Sequence, residues 1–204
     1  MTIYAILLAA GESTRMGRLK QLLPWDGVPL VAWQVRQLRE AGVEGVIVVL
    51  GYAADQIRSA VPPEARVAVN SAYRQGRATS LRCGAEAAPD DAEAILVLSA
   101  DQPRPAWLPR RLIDRWRETQ ALVVSPRFAK GYGHPILLDG SLLTELRQVS
   151  DETLGLRAVI DRHLVKAESL AISNDSVDVD LNTPLDYEAA LAAYLRGEWS
   201  EPVE

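Results

Sequence analysis

Within ten positions the chain places Gly11, Arg15, Gly17, Arg18 and Lys20, a turn with two glycines and three cations. Such a combination is suited to holding phosphates. It follows the apolar run Ile3 to Leu8, which has the length and aliphatic content of a fully buried strand. Ala9-Ala10-Gly11 leaves the carboxyl end of that strand with little side-chain bulk, so backbone N–H groups can come close to an anion. Arg15 and Lys20 bring the positive charge that a triphosphate requires. Two familiar phosphate loops are excluded by spacing. Five residues separate Gly11 from Gly17 and Arg18-Leu19 follow, whereas Walker A has four and then Lys-Ser/Thr. The G-x-G core of the dinucleotide fingerprint is absent.

Two acidic clusters complete a possible metal site. Ser99-Ala100-Asp101-Gln102-Pro103 closes a second apolar run, and Asp101 is its first charged group. Its place at a strand end puts it on the same rim as the Gly11 turn. A carboxylate there suits Mg²⁺, which takes hard oxygen ligands and shares them with substrate phosphates; capping of a helix begun by Pro105 is the competing role. Near the other end, alternation in Asp178-Val179-Asp180-Leu181-Asn182 sets Asp178, Asp180 and Asn182 on one side of an extended segment. Asp101 and Asp180 are read as the metal pair, with Asn182 beside them. Thr183-Pro184 also reads as a helix entry. Between the clusters, Asn70 at a strand end is a candidate base or ribose contact, and Thr79 and Ser80 stand where a helix begins. His163 suits a helix carboxyl end, and Cys83 suits apolar packing.

The elements that must carry these residues follow from periodicity. Short aliphatic runs at 46–50, 66–69, 94–98 and 121–124 alternate with segments of helical spacing at 53–60, 79–88, 106–119, 141–148, 154–163 and 184–196. Pro29 opens another helix, which Gly42 ends. This alternation specifies an α/β fold with a largely parallel sheet and helices on both faces; KGYGHPILL, around 130–138, reads as an excursion returning to the sheet antiparallel. The 204 residues suit one domain over 1–197 with a frayed tail at 198–204. Apolar residues at 48% and charged ones at 24% are ordinary globular values, and a net charge of −5 argues against a nucleic-acid partner held on a broad basic face. One cysteine builds neither a disulfide nor a thiolate metal cage. With no signal-like or membrane-length apolar stretch, cytoplasmic residence without membrane association is the expectation.

With these residues in hand, the chain resembles the MobA-like nucleotidyltransferases, and among them the molybdenum cofactor cytidylyltransferases. The resemblance runs through LAAGESTRMGRLKQLL at 8–23, NSAYRQGRATSLRCG at 70–84, SADQP at 99–103, GHPILL at 133–138 and DLNTPLDY at 180–187. It implies a Rossmann-like, three-layer α/β/α nucleotidyltransferase fold with a mostly parallel mixed sheet. It further implies that Leu8, Ala9, Ala10 and Gly11 wrap the nucleotide together with Asn70 and Ser80. Arg15, Lys20 and Asp101 are then the catalytic groups, and Asp101 binds the metal with Asp180 and Asn182. Gln102, His134 and Arg157 fall on the acceptor side. Ala-Ala-Gly at the turn resembles the pyrimidine users, so Ala10 favours CTP over GTP. Three departures stand out: Ala100 replaces a glycine, Asn182 replaces a frequent second aspartate, and the Gly-Asp approach to Gly-x-Arg is altered around 150–157.

The expected activity is transfer of CMP from CTP to the phosphate of a molybdopterin-type cofactor, releasing pyrophosphate, with Mg²⁺ as cofactor and Mn²⁺ as the alternative. A molybdenum hydroxylase apoenzyme is the expected protein partner. The competing readings are cytidylyl transfer to a sugar or polyol phosphate, an NAD(P)H oxidoreductase acting on a pigment, and a non-catalytic, cofactor-binding maturation factor.

Overall fold

The computed structural model describes residues 2–202. Its central strand is β1 (Ile3–Ala9), flanked in parallel register by β4 (Gly45–Leu50) and β6 (Ala94–Ser99); β5 (Arg66–Val69) extends the sheet beyond β4. On the far side β9 (Ile136–Asp139) runs antiparallel to β6 and to β7 (Val123–Phe128), and β10 (Ala167–Ala171) returns parallel to β7. The path is β10-β7-β9-β6-β1-β4-β5, with β8 (Gly131–Tyr132) paired to β7. The excursion read at 130–138 is therefore this hairpin, and the antiparallel return is β9. The β10 strand was not legible: its alternation Ala167-Glu168-Ser169-Leu170-Ala171 contains one large apolar residue.

Period-two alternation explains the layers. Ala5, Leu7 and Ala9 face α1 (Leu30–Glu40), α2 (Ala54–Arg58) and α4 (Trp107–Thr119), whereas Ile6 faces α3 (Arg77–Ala87), α5 (Leu143–Leu146) and α6 (Leu156–Arg162). The helix expected over 53–60 is shorter, because Ala53 takes a left-handed conformation and the chain turns after Arg58. Gly84 lets α3 lie close on the sheet: a Cβ there would stand 3.0 Å from Val49 Cγ2 and closer still to an Ile6 methyl. That close approach brings the start of α3 to the rim formed by the carboxyl ends of β1, β4, β5 and β6.

A third cluster was not foreseen. The hairpin β2 (Pro24–Trp25) and β3 (Val28–Pro29) packs Trp25 against Trp33, Tyr194 and Trp199, with ring centroids 5.3–5.6 Å from it. The helix α7 (Pro184–Leu195) closes this cluster with Tyr187 and Ala190. Consequently the stretch expected to fray is packed. Trp199 is 3% exposed, its carbonyl accepts from Trp107 Nε1 at 2.8 Å, and Asn174 Nδ2 donates to the carbonyls of Glu198 and Ser200. A buried aromatic offsets the ordering entropy of such a segment by about 2 kcal/mol or more. Residues 203 and 204 lie outside the described residues. Among the described residues, no helix is long and apolar enough to cross a membrane.

Candidate active site

The turn after β1 is fixed from beneath. Met16, 3% exposed, anchors it in the aromatic cluster, and Gln21 Nε2 donates to the carbonyls of Ala9 (2.8 Å) and Gly11 (3.3 Å). Those carbonyls are thereby turned inward, and Ser13 Oγ accepts from the Lys20 backbone N–H at 3.2 Å. Gln21 is a polar residue between Lys20 and two leucines; that break in an apolar run was the signal that could have marked it.

Lys20 is 8% exposed, and its Nζ lies 3.2 Å from Asp101 Oδ2 and 3.5 Å from Asn182 Oδ1. Arg15 reaches the same Asn182 oxygen at 2.8 Å. The segment carrying Asp180 and Asn182 runs beside the Asp101 loop because Leu181 N–H donates to the Asp101 carbonyl at 2.8 Å, with Leu181 itself fully buried. Asp180 Oδ1 accepts from Gln102 Nε2 at 2.8 Å. The structure thus brings Arg15, Lys20, Asp101, Asp180 and Asn182 together from three distant segments. Thr183 caps α7 in a reciprocal pair with Asp186, whose carboxylate also accepts from the Asn182 backbone N–H at 3.1 Å. Asn182 is thereby held from both its backbone and its side chain.

A cleft of about 250 Å³ opens on this rim, lined by Leu8, Ala10, Gly11, Lys20, Ser80 and Asp101, among others. Ala100 also lines it, and its φ is not positive, so the methyl that replaces the usual glycine costs no backbone strain. Ala10 is 6% exposed. Gly51 packs against it so tightly that a Cβ there would lie 2.8 Å from the Ala10 methyl and 2.7 Å from Tyr73 Cβ. Asn70 does not face the cleft. Its amide nitrogen donates to Thr79 and Ser80 hydroxyls at 2.8 and 3.0 Å, and its oxygen accepts from Ala72 N–H, so it holds Ser80 in place from behind.

A second cleft of about 250 Å³ shares Leu8, Arg77 and Ser99 with the first, and His134 and Arg157 line it. Arg77 donates to Ser99 Oγ at 3.0 Å between the two; sequence reasoning missed it, although a cation opening a helix after Gly76 was visible. Burial, then the nearby Arg104 and Arg77, pushes the His134 imidazole down to about 4, so it is neutral at pH 7. Arg157 also pairs with Asp161 at 3.5 Å, and Gln102, which donates to Asp180, is not among the residues lining this cleft. Asp151 contributes the carboxylate that accepts from Ala78 N–H at 3.0 Å, and it thereby caps α3 from a neighbouring segment.

The side-chain oxygens of Asp101, Asp180 and Asn182 are hard donors of the kind that could hold Mg²⁺ or Mn²⁺. Among the described residues no three acidic, His or Cys side chains gather into a self-sufficient metal cage. Two carboxylates and an amide would leave a cation open positions for phosphate oxygens.

The chain is 25% identical, over 94% of its length and 97% of the relative's, to the molybdenum cofactor cytidylyltransferase of Escherichia coli K12. It spans only 22% to 36% of the length of bifunctional GlmU proteins from Rubrobacter xylanophilus and Geotalea daltonii. Among solved structures, a nucleotidyl transferase from Methanothermobacter thermautotroptrophicus superposes with TM-score 0.82 at 26% identity, covering 96% of this chain and 99% of that one. The manganese complex of Rv0371c from Mycobacterium tuberculosis H37Rv gives 0.74 at 27% identity, covering 95% and 100%. The sequence pattern of one family spans residues 5–167, from the middle of β1 to the start of β10, and the chain belongs to that family, the MobA-like NTP transferase domain.

Proposed function

We propose that the chain transfers CMP from CTP to the phosphate of a molybdopterin-type cofactor, with release of pyrophosphate and with Mg²⁺ or Mn²⁺ as the metal. The observation that carries this reading is the meeting of Arg15, Lys20, Asp101 and Asn182 on the rim just beyond the Gly11 turn. The end-to-end likeness to the E. coli cytidylyltransferase supports the acceptor, and the manganese complex of Rv0371c supports the metal.

In this reaction an oxygen of the acceptor phosphate attacks the α-phosphorus of CTP. The bond from that phosphorus to the oxygen bridging the β-phosphate breaks, and pyrophosphate leaves with the electron pair. The acceptor is already anionic, so no side chain has to take its proton. The residues instead align two anions and neutralise charge. Arg15 and Lys20 exchange Asn182 and Asp101 for phosphate oxygens when the nucleotide enters, which frees those oxygens for the cation. Asp101, Asp180 and Asn182 would hold the divalent cation, which would supply further charge neutralisation at the attacked phosphorus. Ala10 lines the first cleft, and the resemblance of Ala-Ala-Gly at this turn to the pyrimidine users supports CTP. Arg77, Arg157 and the neutral His134 receive the acceptor in the second cleft, and a molybdenum hydroxylase apoenzyme is the receiver of the product.

The test is pyrophosphate release from CTP, GTP, ATP and UTP with purified molybdenum cofactor. Release from CTP alone is expected. Release only when a sugar or polyol phosphate replaces the cofactor would transfer the assignment to that acceptor class. Cofactor binding without pyrophosphate from any nucleotide would make the chain a maturation factor. NAD(P)H oxidation with a pigment would make it an oxidoreductase.

A further inference from the structure

Arg104, three residues past Asp101, is a charged side chain that the proposed chemistry does not use, yet it is 1% exposed. Its Nε donates to the His134 carbonyl at 2.9 Å, and its Nη1 donates to the carbonyls of Pro103 (3.0 Å) and Val179 (2.9 Å). Its Nη2 stands 3.6 Å from Asp178 Oδ1. One guanidinium therefore ties together the Asp101 loop, the run that enters β9 and the segment carrying Asp180 and Asn182.

Burying a cation is costly unless geometry and partners compensate, and an apolar side chain of similar volume is often the more stable filling. Burial holds the Arg104 guanidinium down to about 10, with Asp178, then Asp180 and Asp101, acting in the opposite direction, so it remains charged at pH 7. Three carbonyls and a carboxylate, drawn from three segments, match a planar fork of donors, which a lysine ammonium cannot reproduce. Asp178 alternates with Asp180 and Asn182, but its charge is committed to Arg104. That commitment leaves Asp180 and Asn182 as the oxygens presented beside Asp101.

We infer that Arg104 is a positioning residue for the divalent-cation site: it sets the spacing between the Asp101 loop and the 178–182 segment and withdraws Asp178 from the ligand set. The inference rests on the metal-dependent nucleotidyl transfer proposed above.

The test measures Mn²⁺ affinity by electron paramagnetic resonance, with CTP present and no acceptor, for the intact chain and for Arg104→Lys, Arg104→Met, Asp178→Asn and Asp101→Asn. Melting temperature and CTP affinity in chelator are read for each. Arg104→Lys keeps charge and bulk, so it serves if Arg104→Met does not fold. The expected result is an approximately tenfold loss of Mn²⁺ affinity in Arg104→Lys, with metal-free CTP affinity within about twofold of the unaltered chain. Asp178→Asn should stay within about twofold for Mn²⁺. A lower melting temperature with unchanged Mn²⁺ affinity in Arg104→Lys would overturn the inference and leave Arg104 a packing residue. A tenfold loss in Asp178→Asn would overturn the withdrawal of Asp178. Unchanged Mn²⁺ affinity in Asp101→Asn would instead overturn the metal reading itself, and the inference with it.

Discussion

The two clefts share Leu8, Arg77 and Ser99 but are built differently. The first stands on the ends of buried parallel strands. Its turn is held by Gln21 and Met16, and its acidic segments are joined by a backbone hydrogen bond from Leu181 to Asp101. The second is closed by residues 150–157, where Leu154 has φ 63° and is 68% exposed, and Gly155 has φ 56°. The difference suits the two tasks proposed for them. A triphosphate and its metal need fixed charges, which rigid strand ends provide, whereas an acceptor pocket can be re-shaped by changing one connecting segment without disturbing the sheet.

The strongest way to break this comparison is at the rigid side. Asp101→Asn removes a carboxylate charge from a side chain that is 34% exposed and spends its bonds on Lys20, so the fold should be preserved. Turnover should fall about 10²–10³-fold, the range seen when one charge-stabilising group is lost. Steady-state kinetics beside circular dichroism checks both halves, and a variant retaining most of its kcat would remove Asp101 from the reaction. A smaller effect is expected at Ala10. Ala10→Gly removes a methyl from a residue that lines the first cleft and packs against Gly51, and the preference for CTP over GTP should fall about tenfold, as for other single-methyl discriminations. Competition between the two nucleotides measures it; an unchanged ratio would move base selection elsewhere in the cleft.

At the adaptable side the effects should be milder and confined. Asp151→Ala uncaps α3 and should cost about 1 kcal/mol of unfolding free energy, read by urea titration. Because residues 150–157 line the second cleft, KM for the acceptor should rise while KM for CTP changes little. An equal rise in both would show that the two clefts are mechanically one.

The same contrast governs what the sequence made legible. The Gly11 turn and Asp101 were legible because each follows an aliphatic run whose end fixes its place on the rim, and Asp180 because alternation with Val179 and Leu181 sets it on one side of an extended segment. Local spacing was enough there. Arg104 and Gln21 were missed because their roles depend on carbonyls that the fold brings to them, at His134 and Val179 for one and at Ala9 and Gly11 for the other. Asn70 was placed correctly at a strand end but assigned to the ligand, since nothing in the sequence shows that Thr79 and Ser80 consume its amide. Trp199 was misread for a related reason: one aromatic in a polar tail looks frayed until Trp25, Trp33 and Tyr194 are seen to receive it.

A prediction confined to acid pH concerns His134 and tests how closed the second cleft is. Its imidazole is held near 4 in the folded chain by burial and by the Arg104 and Arg77 charges, against 6.5 when unperturbed. Between those two values the unfolded chain binds a proton that the folded chain refuses, so stability must decline as pH falls from about 6.5 toward 4 and this contribution must level off below that. His134→Gln removes the imidazole but keeps the backbone carbonyl that Arg104 uses. Urea titrations across this range should give a shallower acid slope for the variant than for the unaltered chain. An identical slope would mean that the imidazole is protonated as readily as in water, and a pocket that hydrates His134 so freely would not exclude water from the acceptor phosphate.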